Sequence, residues 1–405
     1  MNNFVFISAN FPKNYYEFPK AWKQIGGTAL VIGEEPYETL SQDLKNVMDE
    51  YYQVGSMQNY EEMYRAVAWF AHKHGKIDWL ESNNEFWLEQ DARLREDFNI
   101  TTGDRPKDMM RYKLKSNMKA YYQKAGVPTA RWHLTTVFEE GKKFVTEVGY
   151  PVVVKPNDGV GANSTCRIRN EKELRAFYQQ EHHTQYIMEE YVPGTIVSFD
   201  GLTDQDGKII FQTAHTFPEP IMNVVNDKKE CTYYSERKIP HDLEEIGTKV
   251  ISAFGIKARF FHTEYFRLSQ DKPGLGKKGD LVGLEVNMRP PGGYTPDMMN
   301  YANDINIYSI YANMCMFNTA WYDTNRPYYC VYTGKRDGNT YKNSDPLIYA
   351  RFGSNICMHE RMPDILSGAM GNDMYIARFR SLDDVRRFTK FVYEKPSTRK
   401  RRSSK

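Results

Sequence analysis

Residues 281–297 read LVGLEVNMRPPGGYTPD, an apolar strand that contains Glu285 and Asn287 and is followed at once by Arg289. Side chains alternate between the two faces of a strand, so these three polar residues share one face. An earlier apolar run, FFHTEYFRL at residues 260–268, carries Glu264 with His262 on the same face. The segment between the runs, SQDKPGLGKKGD, is polar and rich in glycine and lysine, which predicts a hairpin.

The polar residues of this hairpin indicate a metal site. Two carboxylates and an amide within apolar strands are costly unless something compensates them. Magnesium prefers oxygen ligands and typically uses one or two carboxylates together with substrate phosphates. The pattern therefore predicts a Mg²⁺ site at Glu264, Glu285 and Asn287, with Arg289 placed to meet an anion. The alternative is a pair of buried ion pairs, for instance Glu264 with Arg267 or Arg289.

Two further features of the hairpin each have two interpretations. His262 is a candidate for direct catalysis, although a histidine within a strand is more often a packing residue. The segment RPPGGYTPD at residues 289–297 holds two prolines and two glycines. It either shapes a substrate loop or forms a structural turn.

A candidate phosphate site lies upstream, in YPVVVKPNDGVGANST at residues 150–165. Lys155 ends a β-branched run, and a loop with Gly159 and Gly161 follows. A lysine beside flexible backbone N–H groups suits a polyphosphate, because the loop can approach closely while the lysine neutralises charge. The segment lacks the GK[ST] ending of a Walker loop, and Ser164 replaces the third glycine of GxGxxG. An ordinary strand followed by a glycine turn is the alternative.

The stretch YIMEEYVPG at residues 186–194 places Glu189 and Glu190 between an apolar strand and a proline-glycine turn. Taken alone, these acids are also compatible with a solvated strand end.

The chain order of apolar runs predicts the organisation of the protein. Short apolar runs at residues 4–8, 28–32 and 77–80 alternate with helical patterns at 16–25 and 60–74, which is typical of a parallel sheet with crossover helices. Residues 1–104 are therefore predicted to form a Rossmann-like domain. One helix is predicted at 108–124, then a mixed-sheet domain to residue 318, and a C-terminal α+β region at 319–394 with a strand at 375–379 and a helix at 383–393.

Composition limits the function classes. Hydrophobic residues make up 40% of the 405 residues, which excludes disorder over most of the length. Five scattered cysteines without a CxxC pair argue for a reducing compartment and against structural zinc. No apolar stretch has membrane-spanning length, so a cytoplasmic protein is expected. The net charge is +2, but residues 395–405 hold six basic residues, so the remaining chain is mildly acidic. That tail is expected to be disordered, and nucleic acid is not expected as a partner.

Taken in order, these segments resemble the ATP-grasp superfamily, particularly the large subunit of carbamoyl-phosphate synthase and biotin carboxylase. The resemblance spans roughly residues 1–315. It implies a Rossmann-like pre-ATP-grasp domain (1–104), a two-lobed ATP-grasp domain (105–318) and a C-terminal lobe (319–394). In the family the first domain ends in an acidic turn and a helix, and SNNEFWLEQDARLREDFNI looks like that element.

The resemblance also implies roles for particular residues. Lys115 matches a lysine that reaches the ATP phosphates, Lys155 looks like the second phosphate lysine, and residues 158–164 resemble the glycine-rich lid. Arg289 matches the arginine that stabilises the transferring phosphoryl group. The implied ATP-binding set is Lys115, Lys155, Gly159, Gly161, Glu189, Glu190 and Val192, and the implied metal ligands are Glu264, Glu285 and Asn287.

One position departs from the family pattern. A glutamate that often holds the ribose, two residues after the glycine of the turn, is Ile196 here.

The function implied is an ATP-dependent ligase that phosphorylates a substrate carboxylate and couples it to an amine or another nucleophile. The cofactors implied are ATP and Mg²⁺; two magnesium ions are expected, and Mn²⁺ is an alternative metal. The substrates are small molecules, and related enzymes are frequently dimers, so a homodimer is compatible with the resemblance. Two alternatives stay open: a bicarbonate-activating enzyme of the carboxylase or carbamoyl-phosphate type, and a nucleotide-binding regulatory protein.

Overall fold

The computed structural model describes residues 2–158 and 165–396. It opens with a parallel four-stranded sheet in the order β3-β2-β1-β4, as the Rossmann-like prediction requires. The strands are β1 (Asn3–Ile7), β2 (Thr28–Gly33), β3 (Glu50–Gln53) and β4 (Trp79–Glu81). The helices are α1 (Glu17–Gln24), α2 (Gln42–Val47), α3 (Tyr60–His74) and α4 (Leu88–Asp97). Strand β3 escaped prediction because EYYQ is short and has no apolar alternation.

Helix α3 shows why the local pattern was sufficient in this domain. Met63, Val67 and Phe70 recur at helical spacing and are fully buried. The Asn59 side chain caps the first turn by accepting from the Glu61 N–H, 3.2 Å away. The helix ends at Gly75, whose φ of 85° favours glycine. Its bounds match the prediction.

The predicted helix at 108–124 is wrong in one respect, because two helices replace it. These are α5 (Pro106–Lys113) and α6 (Lys115–Lys124). Leu114 between them is extended, with φ −88° and ψ 118°. The Lys115 N–H donates to the Asn157 carbonyl at 2.8 Å, and the Ser116 N–H donates to the Asn157 side chain at 2.9 Å. These contacts to the segment after a distant strand set the break, so a local pattern could not reveal it.

A small antiparallel sheet follows, in the order β5-β8-β6-β7. Its strands are β5 (Trp132–Leu134), β6 (Val152–Pro156), β7 (Cys166–Ile168) and β8 (Tyr186–Glu190), with helices α7 (Phe138–Val148) and α8 (Glu171–Tyr178). Valines of β6 pack with both helices in a core of their own.

The largest element is an antiparallel sheet of eight strands in the order β13-β12-β9-β10-β11-β14-β16-β15. Its strands are β9 (Gly194–Thr203), β10 (Ile209–Phe217), β11 (Cys231–Ser235), β12 (Phe260–Leu268), β13 (Leu281–Asn287), β14 (Tyr329–Lys335), β15 (Ile356–Arg361) and β16 (Asp373–Phe379). The helices are α9 (Ile221–Asn226), α10 (His241–Phe254), α11 (Thr295–Asn303), α12 (Ile307–Phe317), α13 (Asp345–Phe352), α14 (Asp364–Met370) and α15 (Leu382–Val392). The β12–β13 hairpin forms as predicted.

The C-terminal region 319–394 contributes three strands to this sheet. Strand β14 pairs with β11 over the register Cys231↔Gly334 to Tyr234↔Val331. Lys395, the first residue of the basic tail, contacts Glu230 at 2.6 Å, whereas residues 397–405 lie outside the described part. Within the described residues, no helix has the length and apolar character needed to cross a membrane.

The first domain is fixed against the large sheet by buried charges. Arg259, just before β12, pairs with Glu81 at 3.1 Å and with Asp104. Arg95 also reaches Glu81, at 3.3 Å, and donates to the Asp104 carbonyl at 2.9 Å. Removing one member of such a buried network would leave an uncompensated charge, which is strongly destabilising.

Asp297 on α11 gives a pH-dependent contribution to stability. It accepts from Asn14 of the first domain at 2.6 Å and from the Tyr308 hydroxyl at 3.4 Å. Burial is the largest influence and raises the pKa of its carboxyl to about 6. The unfolded chain loses this proton near pH 4 and the folded protein near pH 6, so stability falls as the pH rises through that window, by up to about 1.4 kcal/mol per pH unit.

We expect Asp297→Asn to remove that slope, because asparagine keeps the acceptor oxygen but does not titrate. The free energy of unfolding, measured in urea at pH 4.5, 5.5, 6.5 and 7.5, should change less with pH in the variant than in the wild type. The exposed Asp43→Asn serves as the control. Parallel pH profiles for wild type and Asp297→Asn would contradict the assignment.

Candidate active site

One cavity of about 390 Å³ lies between the small sheet and the large sheet. Every predicted site residue in the described part of the chain lines it: Lys115, Lys155, Glu189, Glu190, Val192, Glu264, Glu285, Asn287 and Arg289. Gly159 and Gly161 lie outside the described residues. The sequence motifs, spread over 175 positions, therefore meet at a single place.

The face of the large sheet that forms the cavity floor is ordered in cross-strand rows. Directly paired residues share a face, and successive rows lie roughly 7 Å apart along the strands. The first row is Asn287, His262, Asp200 and Thr213. The second row is Glu285, Glu264, Ser198, His215 and Ser235. The third row is apolar and holds Phe266, Ile196 and Phe217.

The carboxylates of Glu264 and Glu285 face one another across the hairpin in the second row. Burial raises the pKa of Glu264, and the neighbouring Glu285 raises it further. For Glu285, Lys115 and Lys155 outweigh the effect of burial and lower the pKa. Two facing carboxylates beside an amide oxygen supply the hard oxygen donors that a divalent cation takes, and a cation there would relieve their repulsion.

Among the described residues, Glu264 forms neither of the alternative ion pairs, with Arg267 or with Arg289. Arg267 pairs with Asp242 at 2.5 Å, and Arg289 pairs with Glu85 at 2.9 Å. Within the described residues, Glu264 lies beside the His262 imidazole instead, with Nε2 at 3.6 Å from Oε1.

Two buried lysines, Lys115 and Lys155, line one side of the cavity, and a third buried lysine, Lys119, lies beside them. Lys115 Nζ lies 3.2 Å from Glu285 Oε1, and Lys155 Nζ lies 2.8 Å from Glu189 Oε2. Lys119 also contacts Glu189, and the two lysines outweigh burial to lower the pKa of Glu189 to about 2. Burial lowers the pKa of Lys119. We had not predicted Lys119, although its spacing of four from Lys115 on α6 signals a shared helix face.

The connection from β8 to β9 links the small sheet to the large sheet beside the cavity. The Glu190 carboxylate is engaged by Arg131 at 2.8 Å and by Lys272 of the β12–β13 hairpin loop at 3.3 Å. Val192 is buried beside Ala130 in a small apolar cluster. The Glu190 side chain, at the end of β8, therefore connects the hairpin loop to the small sheet.

Arg289 and Asn287 share one partner from the first domain, Glu85. The Arg289 guanidinium donates to Glu85 from Nε at 3.1 Å and from Nη2 at 2.9 Å. With its amide nitrogen facing Glu85, Asn287 donates to both carboxylate oxygens, at 2.9 and 3.0 Å. Glu85 lies in the acidic turn noted in the sequence, but nothing in its local pattern pointed to these partners.

His262 belongs to a buried network behind the carboxylates. Its Nδ1 contacts Asp200, which also contacts His215 Nδ1 at 2.6 Å and accepts from the Ser198 hydroxyl at 2.6 Å. Burial disfavours the charged forms, but the attraction between the groups prevails. It raises the pKa of His262 and lowers that of Asp200 to about 2. Asp200 was missed because an acid in an apolar strand has no signal until its partners are known.

Comparison with known proteins identifies the segment that supplies most of the cavity lining. Residues 148–295 match the family model described as an ATP-grasp domain. The chain is 24% identical over 282 residues to the arginine-specific mitochondrial carbamoyl phosphate synthase large chain of Neurospora crassa, a match covering 67% of this chain and 23% of the relative. It is 27% identical over 210 residues to the 2-oxoglutarate carboxylase small subunit of Hydrogenobacter thermophilus, covering 47% and 43% respectively. The chain thus spans less than half the length of these relatives.

Solved structures share the fold over nearly the entire chain. An L-amino acid ligase from Bacillus licheniformis superposes with a TM-score of 0.74 at 16% identity, covering 97% of both chains. The biotin carboxylase domain dimer of the Hydrogenobacter thermophilus 2-oxoglutarate carboxylase, solved with MgADP, ADP and bicarbonate, gives 0.70 at 18% identity, covering 96% of this chain and 89% of the other. The chain therefore carries an ATP-grasp domain at residues 148–295 and, over nearly its whole length, the fold of these two solved structures.

Proposed function

We propose that the protein is an ADP-forming ligase that activates a substrate carboxylate with ATP and couples it to an amine. The observation that carries the proposal is the meeting of Lys115, Lys155, Glu264, Glu285 and Arg289 in one cavity of an ATP-grasp domain. A cavity with cations on one side and facing carboxylates on the other suits a metal-bound triphosphate. In this proposal the chain divides into residues 1–104, 105–318 and 319–394, acts in the cytoplasm without a nucleic-acid partner, and is compatible with a homodimer.

Glu264, Glu285 and Asn287 would hold magnesium, with two ions expected and manganese as an alternative. Bound there, the metal would neutralise charge on the ATP phosphates. Lys115 and Lys155 would contact the phosphates directly, and in doing so would exchange part of their contact with Glu285 and Glu189 for the nucleotide. The adenine would lie at the β8–β9 connection near Glu189, Glu190 and Val192, and the missing ribose glutamate leaves an apolar contact at Ile196.

The reaction follows from this placement. A carboxylate oxygen of the substrate attacks the γ-phosphorus, and the bond to the β-phosphate oxygen breaks, so that an acyl phosphate and ADP form. Arg289 stabilises the charge on the transferring group. The amine nitrogen then attacks the acyl carbon, the bond to phosphate breaks, and the amide, inorganic phosphate and a proton are released. The chain contributes mainly positioning and electrostatic stabilisation.

Bicarbonate activation is the second candidate. The observation that favours it is the 2-oxoglutarate carboxylase neighbour, whose biotin carboxylase domain was solved with bicarbonate. In that case ADP release would need bicarbonate but no other acid.

The test is magnesium-dependent release of ADP and phosphate by the purified protein. Wells contain pooled carboxylic acids with and without pooled amines, and one well contains bicarbonate alone. Turnover that needs both an acid and an amine is the expected result. Turnover with bicarbonate alone would select the second candidate, and silence in every well alongside confirmed ATP binding would overturn the proposal in favour of a regulatory role.

A further inference from the structure

The cavity continues beyond the charged groups into an apolar end. Its charged lining residues come from α6, from the small sheet, from the β12–β13 hairpin and from Arg289. A second part of the lining comes from β10, β11, the segment before α11, and helices α9 and α14, and the lining residues of that part are uncharged. Phe217, Tyr233, Leu366 and Met370 dominate this end, which we call the apolar subsite.

An aromatic stack forms the floor of the apolar subsite. Phe217 and Tyr233 stack with ring centroids 5.0 Å apart and an interplanar angle of 17°. Tyr332 continues the stack behind Tyr233, at 5.1 Å and 20°. Residues Tyr233 and Tyr332 are direct cross-strand partners, so the sheet itself holds the rings parallel.

The polar atoms at this end are already bonded to one another. The Tyr233 hydroxyl lies 2.8 Å from Thr295 Oγ1, which donates to the Gly292 carbonyl at 2.7 Å. Arg167 of β7 is the cation of the lining that reaches this end, where its Nη2 donates to the Asn223 side chain of α9 at 3.4 Å. A polar ligand group placed on the aromatic floor would lose its water, which is unfavourable unless the group is paired. An apolar group would gain from the same burial.

Helix α14 closes the apolar subsite from the C-terminal region. Met370 contacts the loop after β13 so closely that a Cβ at Gly293, where φ is 63°, would lie 2.5 Å from its thioether. A Cβ at Gly334 of β14 would lie 1.8 Å from the Met370 carbonyl oxygen, so glycine allows the helix end to approach the sheet. The loop from Arg289 to Thr295 therefore runs from the phosphoryl-transfer end to Tyr233 beneath this helix.

We propose that the apolar subsite binds the side chain of the carboxylate substrate, so that the enzyme activates carboxylic acids bearing an apolar chain or ring, selected by Tyr233, Leu366 and Met370. This inference rests on the proposed ligase function. The carboxylate lies by Arg289, and its apolar substituent extends along the loop onto the aromatic floor. The C-terminal region, which carries no predicted site residue, then sets the choice of substrate through α14.

The experiment measures kcat/KM for a series of linear monocarboxylic acids of increasing length, and for dicarboxylic acids of equal length, at saturating ATP and pooled amines. We expect kcat/KM to rise roughly fourfold per added methylene until the subsite is full, and dicarboxylic acids to be poor substrates. Met370→Ala and Leu366→Ala should each lower kcat/KM for the longer acids by about 10-fold or more, while the KM for ATP stays unchanged. Ile365→Ala is the matched control, because Ile365 lies on the same helix but is 80% exposed.

The outcomes separate the two proposals. Wild-type turnover that requires an acid but is independent of chain length, or that favours dicarboxylic acids, overturns the apolar subsite and leaves the ligase proposal standing. If the wild-type protein shows no turnover with any acid, the ligase proposal itself is overturned. Because Met370→Ala could unfold, Met370→Lys is tested as well: a folded Met370→Lys that gains activity on dicarboxylic acids supports the subsite, and an unchanged acid preference in folded Met370→Lys refutes it.

Discussion

Replacing Glu285 by glutamine is expected to lower ATP turnover by about 10³-fold while leaving the protein folded. The substitution keeps the size of the side chain and one oxygen, but removes the charge that faces Glu264 across the hairpin and contacts Lys115 at 3.2 Å. A neutral amide holds a divalent cation less strongly than a carboxylate. The Lys115 ammonium at the start of α6 would also lose the negative charge of Glu285 beside it.

The measurement is ADP release at saturating ATP over a titration of Mg²⁺, together with thermal unfolding. The control is Glu245→Gln, the same chemical change at an exposed position of α10 whose partner is Lys249. A loss that high Mg²⁺ partly restores is expected for Glu285→Gln. A wild-type rate would remove Glu285 from the metal assignment.

Arg289→Lys is expected to reduce kcat by about 10²- to 10³-fold with a smaller change in the KM for ATP. The guanidinium holds Glu85 through two nitrogens, at 3.1 and 2.9 Å. Lysine is a single point charge and cannot offer the same planar pair of donors. If Arg289 acts on the transferring phosphoryl group, the loss should appear in the chemical step, because that interaction strengthens only in the transition state.

The control for this prediction is Arg267→Lys, on the neighbouring strand. Arg267 makes a comparable ion pair with Asp242 but does not line the cavity. Arg267→Lys should keep wild-type kcat. Equal losses in both variants, or a loss in Arg289→Lys confined to KM, would contradict a role for Arg289 in phosphoryl transfer.

The sequence was sufficient wherever the signal was local. Alternation placed Glu285 and Asn287 on one face of β13, and His262 and Glu264 on one face of β12. The pairing of the two strands in the structure puts these residues on the same face of the sheet. The missed residues depend on distant contacts instead. The contact of Asp200 with His262 can be recognised only when β9 is known to lie beside β12. The contact of Glu85 with Arg289 can be recognised only when the first domain is known to lie against the loop after β13.

The same reason explains the break between α5 and α6. The pattern at 108–124 is continuous, and the interruption at Leu114 is set by Asn157, which is 42 positions from Lys115 along the chain. That break puts Lys115 in the first turn of a helix that faces the carboxylates. Sequence periodicity reports the face of an element but not the contact that ends it early.

Backbone hydrogen bonds join all eight strands from β13 to β15, so Tyr233 of the apolar subsite lies in the same sheet as Glu264 and Glu285. The distance from Glu285 to Tyr233 is therefore set by the pairing of the strands between them. If the proposed reaction is right, an acid that fits this distance would be held with its carboxylate near Arg289, so that less entropy would be lost in aligning it with ATP. An acid of the wrong length would bind with its carboxylate out of reach. The sheet would then select substrates by chain length, because only acids that match this distance would react quickly.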